Sequence, residues 1–161
     1  MKRKFGSLLL GICLVAAVFS VVPAEAHAAV GWTKVSGYWY YYNASGVKLT
    51  GWQTLPSRNG TDLFYLDPAT SPSGQMVMGW QKIPRGVGKW YYFDPVDEQG
   101  GVLKGWQKLR WSGGTSWFFL DPATSPSGQM VVGWQKIPRG TGDWYYLNPG
   151  PNNDAGNMLT G

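Results

Sequence analysis

A single cysteine, Cys13, lies in an apolar stretch near the N-terminus, so beyond residue 26 the chain has no thiol for a disulfide, a metal site or nucleophilic chemistry. Ile12 precedes it, where a lipoprotein processing site wants a small residue. Histidine is as scarce: His27 is the only one, and the eight carboxylates after residue 26 fall mostly in turns. Asp67, Asp94 and Asp121 precede proline at strand ends, and Asp97-Glu98 is a lone loop pair. No acid, base and nucleophile come together, so neither catalysis nor a bound metal or cofactor is expected. Only 14% of the residues are charged, and lysines and arginines are scattered singly without the basic stripe that nucleic acid requires. Long aliphatic helical patterns are missing too, which argues against a core of packed helices.

The first residues have the order of a secretory signal. Lys2, Arg3 and Lys4 precede an apolar run from Phe5 to Val22, then Pro23 and small-residue cleavage sites at Ala24-Glu25-Ala26 or Ala26-His27-Ala28. Gly6 and Gly11 interrupt the run, so a cleaved leader over residues 1–26 is expected, with no membrane insertion afterwards. Its removal takes three basic residues and Glu25, and the formal charge falls from +5 to +3.

What the chain has is aromatic and repeated. Gly-Trp recurs at Gly31-Trp32, Gly51-Trp52, Gly79-Trp80, Gly105-Trp106 and Gly133-Trp134, at intervals of 20, 28, 26 and 28 residues. An aromatic run ending at Asn or Asp follows each: Trp39 to Tyr42, Leu63 to Leu66, Trp90 to Phe93, Trp117 to Leu120 and Trp144 to Leu147. A longer period lies over this one. Residues 67–77 return unchanged at 121–131, and residues 79–86 at 133–140, both 54 positions later. Such self-similarity marks an array, here about five units at 31–50, 51–78, 79–104, 105–132 and 133–161, within a repeat region over 27–161.

Within one unit, Gly79 to Ile83 alternates apolar and polar residues, Pro84 to Gly88 is turn chemistry, and Lys89 to Phe93 is a second strand-like run closed by Asp94-Pro95. One unit therefore reads as one β-hairpin. Isolated hairpins are marginal in water, so the units must stack, and the expected fold is all-β, a β-solenoid of stacked hairpins. Strand alternation puts Trp90 and Tyr92 on one face and Tyr91 and Phe93 on the other.

Ten tryptophans and nine tyrosines exceed what filling space requires, and junctions between hairpins leave rings exposed. Two tryptophans from one hairpin and an aromatic from the next form an open cage suited to a quaternary ammonium, each cation–π contact contributing about 0.5–2 kcal/mol. Two other readings share the same residues. The rings form only a structural ladder, for which Tyr40, Tyr91 and Tyr145 are the first candidates, or they stack sugar rings of a glucan or other polysaccharide.

The pattern Gly-Trp, turn, Trp-Tyr-Tyr-aromatic or Leu-Asp/Asn, then Gly-x-Met before the next Gly-Trp resembles the choline-binding repeat of bacterial cell-wall-binding proteins. The resemblance covers nearly all of residues 27–161. It implies noncovalent attachment, outside the cell at the cell wall, to phosphocholine on teichoic acids, with choline between consecutive hairpins; a surface adhesin using the repeats as a tether is a related possibility. Carried over residue by residue, it implies one site of Trp32, Trp39 and Tyr65, one of Trp106, Trp117 and Tyr146, and a weaker one of Trp80, Trp90 and Phe119. Trp52 and Tyr92 flank a junction where Leu63 replaces the family's tryptophan, which implies poor binding. Trp134 and Trp144 have no following hairpin in this sequence, which leaves their site open unless a second chain completes it as a homodimer. Met76, Met130 and Met158 match the family's methionine.

Overall fold

The computed structural model describes residues 30–95, 100–150 and 155–159; the expected leader over residues 1–26 and the pair Asp97-Glu98 lie outside the described residues. Every regular element in the described residues is a strand: β1 (Gly31–Val35), β2 (Tyr38–Tyr42), β3 (Gly51–Ser57), β4 (Gly60–Asp67), β5 (Gln75–Met76), β6 (Gly79–Ile83), β7 (Lys89–Phe93), β8 (Gly105–Trp111), β9 (Gly114–Asp121), β10 (Gln129–Met130), β11 (Gly133–Ile137) and β12 (Asp143–Leu147). They form five antiparallel hairpins, β1–β2, β3–β4, β6–β7, β8–β9 and β11–β12. The fold is the expected all-β stack of hairpins.

The glycine of each Gly-Trp pair explains itself by its backbone. Gly31, Gly51, Gly79, Gly105 and Gly133 have φ of +101°, +76°, +68°, +74° and +75°, the left-handed region that a side chain disfavours. This bend carries the connector into the first strand. The glutamine that follows fixes it, because Gln53, Gln81, Gln107 and Gln135 each donate Nε2–H to the carbonyl of the residue before the glycine, at 2.7–2.9 Å.

Hairpin length alternates, and this accounts for the 54-residue period. β3–β4 and β8–β9 have strands of seven and eight residues and two-residue tips, Arg58-Asn59 and Ser112-Gly113, whereas the other hairpins have five-residue strands. The duplicated unit is thus one long hairpin followed by one short one. Asp67 and Asp121 tie each such pair together. Each is buried, accepts from the backbone N–H two residues on at 2.8 Å, and receives Arg85 or Arg139 from the next hairpin. The two carboxylates read as turn residues are also bolts between units.

The connectors join neighbours through the backbone. Val102 N–H donates to Leu63 O of the preceding hairpin at 2.8 Å, and Leu103 N–H to Tyr92 O of its own at 2.8 Å. Met158 and Leu159 do the same with Trp117 and Tyr146, at 2.8 and 3.2 Å. The connector is therefore a shared strand between two hairpins, and it satisfies edge groups that an isolated hairpin would leave to water.

The core consists of layers between hairpins. Phe64, Leu66, Phe93, Phe118, Leu120 and Leu147 are the largest fully buried side chains, and the first five pack against residues of the preceding unit. Trp32, Trp39 and Tyr41 pack against Leu55, Phe64, Leu66 and Met76; Trp80, Trp90 and Tyr92 pack against Leu109, Phe118, Leu120 and Met130. Burying such rings contributes on the order of 2–3 kcal/mol each, which replaces the single core that the chain lacks. No helix of the described residues is long and apolar enough to cross a membrane.

Candidate functional site

In the first, third, fourth and fifth hairpins the two tryptophans share one sheet face, because the register places the first-strand tryptophan opposite the residue two after the second-strand one. Trp80 pairs with Tyr92, and Lys82 with Trp90. In the third hairpin the two indoles stand nearly perpendicular, at 88° with centroids 6.4 Å apart, and form a corner. The following hairpin closes it. Phe118 lies 4.9 Å from Trp80, and Met130 and Trp111 complete a niche of about 260 Å³ together with Ser112 and Ala155.

Between the fourth and fifth hairpins the same layout recurs. Trp106, Trp117, Tyr145 and Met158 line a more open groove of about 330 Å³, with Trp106 and Tyr145 centroids 4.8 Å apart and Trp117 42% exposed. At the first junction Trp32 and Trp39 meet Phe64 and Met76, and the Trp32–Phe64 distance is 4.8 Å. Lys34 Nζ sits over the Trp39 ring at 5.4 Å. Trp32 and Trp80 also donate their indole N–H to the carbonyls of Pro56 and Arg110 at 2.8 and 3.0 Å, which holds the long hairpin against them.

The structure brings together both tryptophans at the first, third and fourth junctions but places the third aromatic one residue earlier than expected. Tyr65, Tyr92, Phe119 and Tyr146 do not reach the preceding tryptophan pair. Each stands beside the Gly-Trp tryptophan of its own hairpin: Tyr65 at 5.2 Å from Trp52, Tyr92 at 5.0 Å from Trp80, Phe119 at 5.3 Å from Trp106 and Tyr146 at 5.0 Å from Trp134. The residues that face back are Phe64, Tyr91, Phe118 and Tyr145, all 4.8–4.9 Å from the preceding Gly-Trp indole. The cause is strand alternation, since a ring that shares a face with its own tryptophans looks forward and cannot also look back.

At the second junction three changes coincide. Leu63 replaces the second-strand tryptophan, Val102 stands where the first, third and fourth junctions have Met76, Met130 and Met158, and Thr54 is paired with Leu63 where Lys34, Lys82, Lys108 and Lys136 are paired with tryptophan. Trp52 and Tyr91 still meet at 4.8 Å, but Val77, Phe93, Leu63 and Tyr65 pack with them as a hydrophobic layer. Trp134 and Trp144 are 65% and 63% exposed. Burial pushes the phenols of Tyr65, Tyr91 and Tyr92 above the ordinary tyrosine value, with Asp67 adding to Tyr65 and Asp94 to Tyr92. The junctions thus offer ring faces, apolar walls and few hydrogen-bonding side chains.

No curated protein matches the chain. Residues 29–70 match the choline-binding repeat family, and residues 78–95 and 132–150 match the cell wall binding repeat family. Among solved structures, choline binding protein F from Streptococcus pneumoniae, in the presence of a peptidoglycan analogue, is similar at 39% identity and a TM-score of 0.60; the match covers 83% of this chain and 35% of that one. CbpJ from Streptococcus pneumoniae TIGR4 is similar at 34% identity and a TM-score of 0.59, covering 83% and 36%. CbpF in complex with ipratropium is similar at 36% identity and 0.58, covering 83% and 37%. The chain spans little more than a third of the length of these structures. Together with the stacked hairpins and their tryptophan pairs, these matches show that the chain belongs to the choline-binding, or cell-wall-binding, repeat family.

Proposed function

We propose that the chain is a noncovalent attachment module for the cell wall, holding the choline of a phosphocholine-bearing polymer at the junctions between its hairpins. The observation that carries this reading is the niche between the third and fourth hairpins, where Trp80 and Trp90 form a right-angled corner closed by Phe118 and Met130. A trimethylated ammonium donates no strong hydrogen bond, so it needs ring quadrupoles and apolar contact. Ser112 is the one polar residue in this lining apart from the indoles, which suits a methylammonium better than a sugar. The fourth and first junctions repeat the tryptophan pair and serve as further sites, with Tyr145 and Phe64 as their closing rings. The relatives fit this reading, being choline binding proteins. Attachment places the protein outside the cell, at its wall.

Single cages of this kind reach about millimolar affinity, near −4 kcal/mol, and several on one rigid array gain a hundredfold or more through effective concentration. The test is choline titration followed by tryptophan fluorescence, in the protein and in Trp90→Ala and Trp117→Ala. The expected result is a saturable response, weakened at one junction by each substitution, and elution from a choline matrix by free choline. No saturable response below roughly 100 mM choline overturns the reading.

A further inference from the structure

Resting on that choline reading, we propose that Trp111 makes the third junction a two-compartment site, which prefers a quaternary ammonium joined to an apolar ring over a bare choline head. The duplication supplies an internal control. The long hairpins β3–β4 and β8–β9 have the same strand lengths, register and tip length, and their last paired residues are Ser57 with Gly60 and Trp111 with Gly114. At this position the first junction has a small hydroxyl, and the third has an indole.

A second difference accompanies it. The tip is Arg58-Asn59 in one hairpin and Ser112-Gly113 in the other. A Cβ at Gly113 would lie 2.5 Å from the Trp111 ring carbons Cζ2 and Cη2, so the absence of a side chain there is what lets the indole fold over the tip. Trp111 and Gly113 are one paired change. The folded ring packs on the cluster of Leu109, Phe118, Leu120 and Met130 and lines the niche beside Trp80 and Trp90. Its position is fixed from the neighbouring residue, since Arg110 O accepts the Trp80 indole N–H at 3.0 Å.

The niche therefore has a third indole beyond the corner that takes the cation. At about 260 Å³ it approaches the lower end of the range of roughly 300–1,000 Å³ found for drug-sized ligands. Apart from Ser112 its lining is apolar, so the third indole offers a face that suits a hydrophobic ring and not a second charge.

The test compares choline with benzyltrimethylammonium, titrated by calorimetry in a Trp39→Ala/Trp117→Ala background that weakens the first and fourth junctions. The expected result is about tenfold tighter binding of benzyltrimethylammonium. Trp111→Ser weakens benzyltrimethylammonium about tenfold more than it weakens choline, which abolishes that preference, and Trp111→Phe, which keeps a smaller ring, retains part of it. In the converse arm, Ser57→Trp/Asn59→Gly confers the preference on the first junction, read with Trp90→Ala and Trp117→Ala in place. A preference that survives Trp111→Ser, an equal loss of both ligands, or no preference in the starting protein overturns the proposal and leaves the choline reading standing. Failure of choline to bind the unaltered protein overturns both.

Discussion

Trp80 meets Phe118 of the next hairpin edge-on, with centroids 4.9 Å apart at 62°, while Phe119 faces the other way and lies 5.3 Å from Trp106. Adjacent residues of one strand thus serve two different junctions. Phe118→Leu keeps an apolar side chain in the core but removes the ring. It should weaken choline at the third junction by about threefold to tenfold, consistent with losing one aromatic wall, while Phe119→Leu leaves that junction unchanged. Fluorescence titration of both variants checks this, and a loss with Phe119→Leu instead would place the cage on the other face.

The second junction should be convertible. Leu63→Trp with Val102→Met restores the residue types that flank niches at the other junctions. Counting bound choline by equilibrium dialysis should show one additional site in the double variant, and an unchanged stoichiometry counts against the junction rule.

Asp67 is buried and ties the second hairpin to the third through Arg85, whose side chain is 66% exposed. Water screens that arginine, so Arg85→Ala should cost about 1 kcal/mol. Asp67→Ala also strips the acceptor of the Ala69 N–H and should cost about 2–3 kcal/mol. Urea unfolding of the two variants checks the order; equal effects would mean that the carboxylate acts only through the ion pair.

Tyr91 is buried, and desolvation raises its phenol above the ordinary value of 10.0. The unfolded chain ionises this group first, so its contribution is complete below pH 10.0 and is lost as pH rises through the higher folded value. Urea midpoints should therefore fall as pH rises above 10.0, and Tyr91→Phe should flatten that fall. An identical alkaline loss in the variant would exclude Tyr91 as its source.

Gly79 and Gly88 should respond differently to alanine. Gly79 has φ of +68° with open space around it, so Gly79→Ala should cost about 1–2 kcal/mol of backbone strain. A Cβ at Gly88 would fall on the Ile83-Pro84 backbone, so Gly88→Ala should be the more damaging by thermal melting.

The hairpins were legible because Gly, Pro and aromatic residues mark their ends and strands, and Trp32, Trp80 and Trp106 stood out by their recurrence. Strand alternation also separated two faces, as at Trp90 and Tyr91. Which face the next unit covers was not legible locally, because the connector decides it through bonds such as Val102 N–H to Leu63 O. Hence Tyr65, Tyr92, Phe119 and Tyr146, which the resemblance puts at the junction before their own hairpin, stand beside their own Gly-Trp indole. Trp111 was overlooked because it lies in what reads as an extended turn. Its signal was the departure of Trp111 and Gly113 from Ser57 and Asn59 in an otherwise duplicated frame.

Because the connector at Met158 and Leu159 is hydrogen-bonded on both sides, peeling the fifth hairpin away removes a wall from the groove of the fourth at the same moment. Fraying and ligand release become one event, and a cell-wall polymer threaded along the array would act as a splint against unravelling under shear.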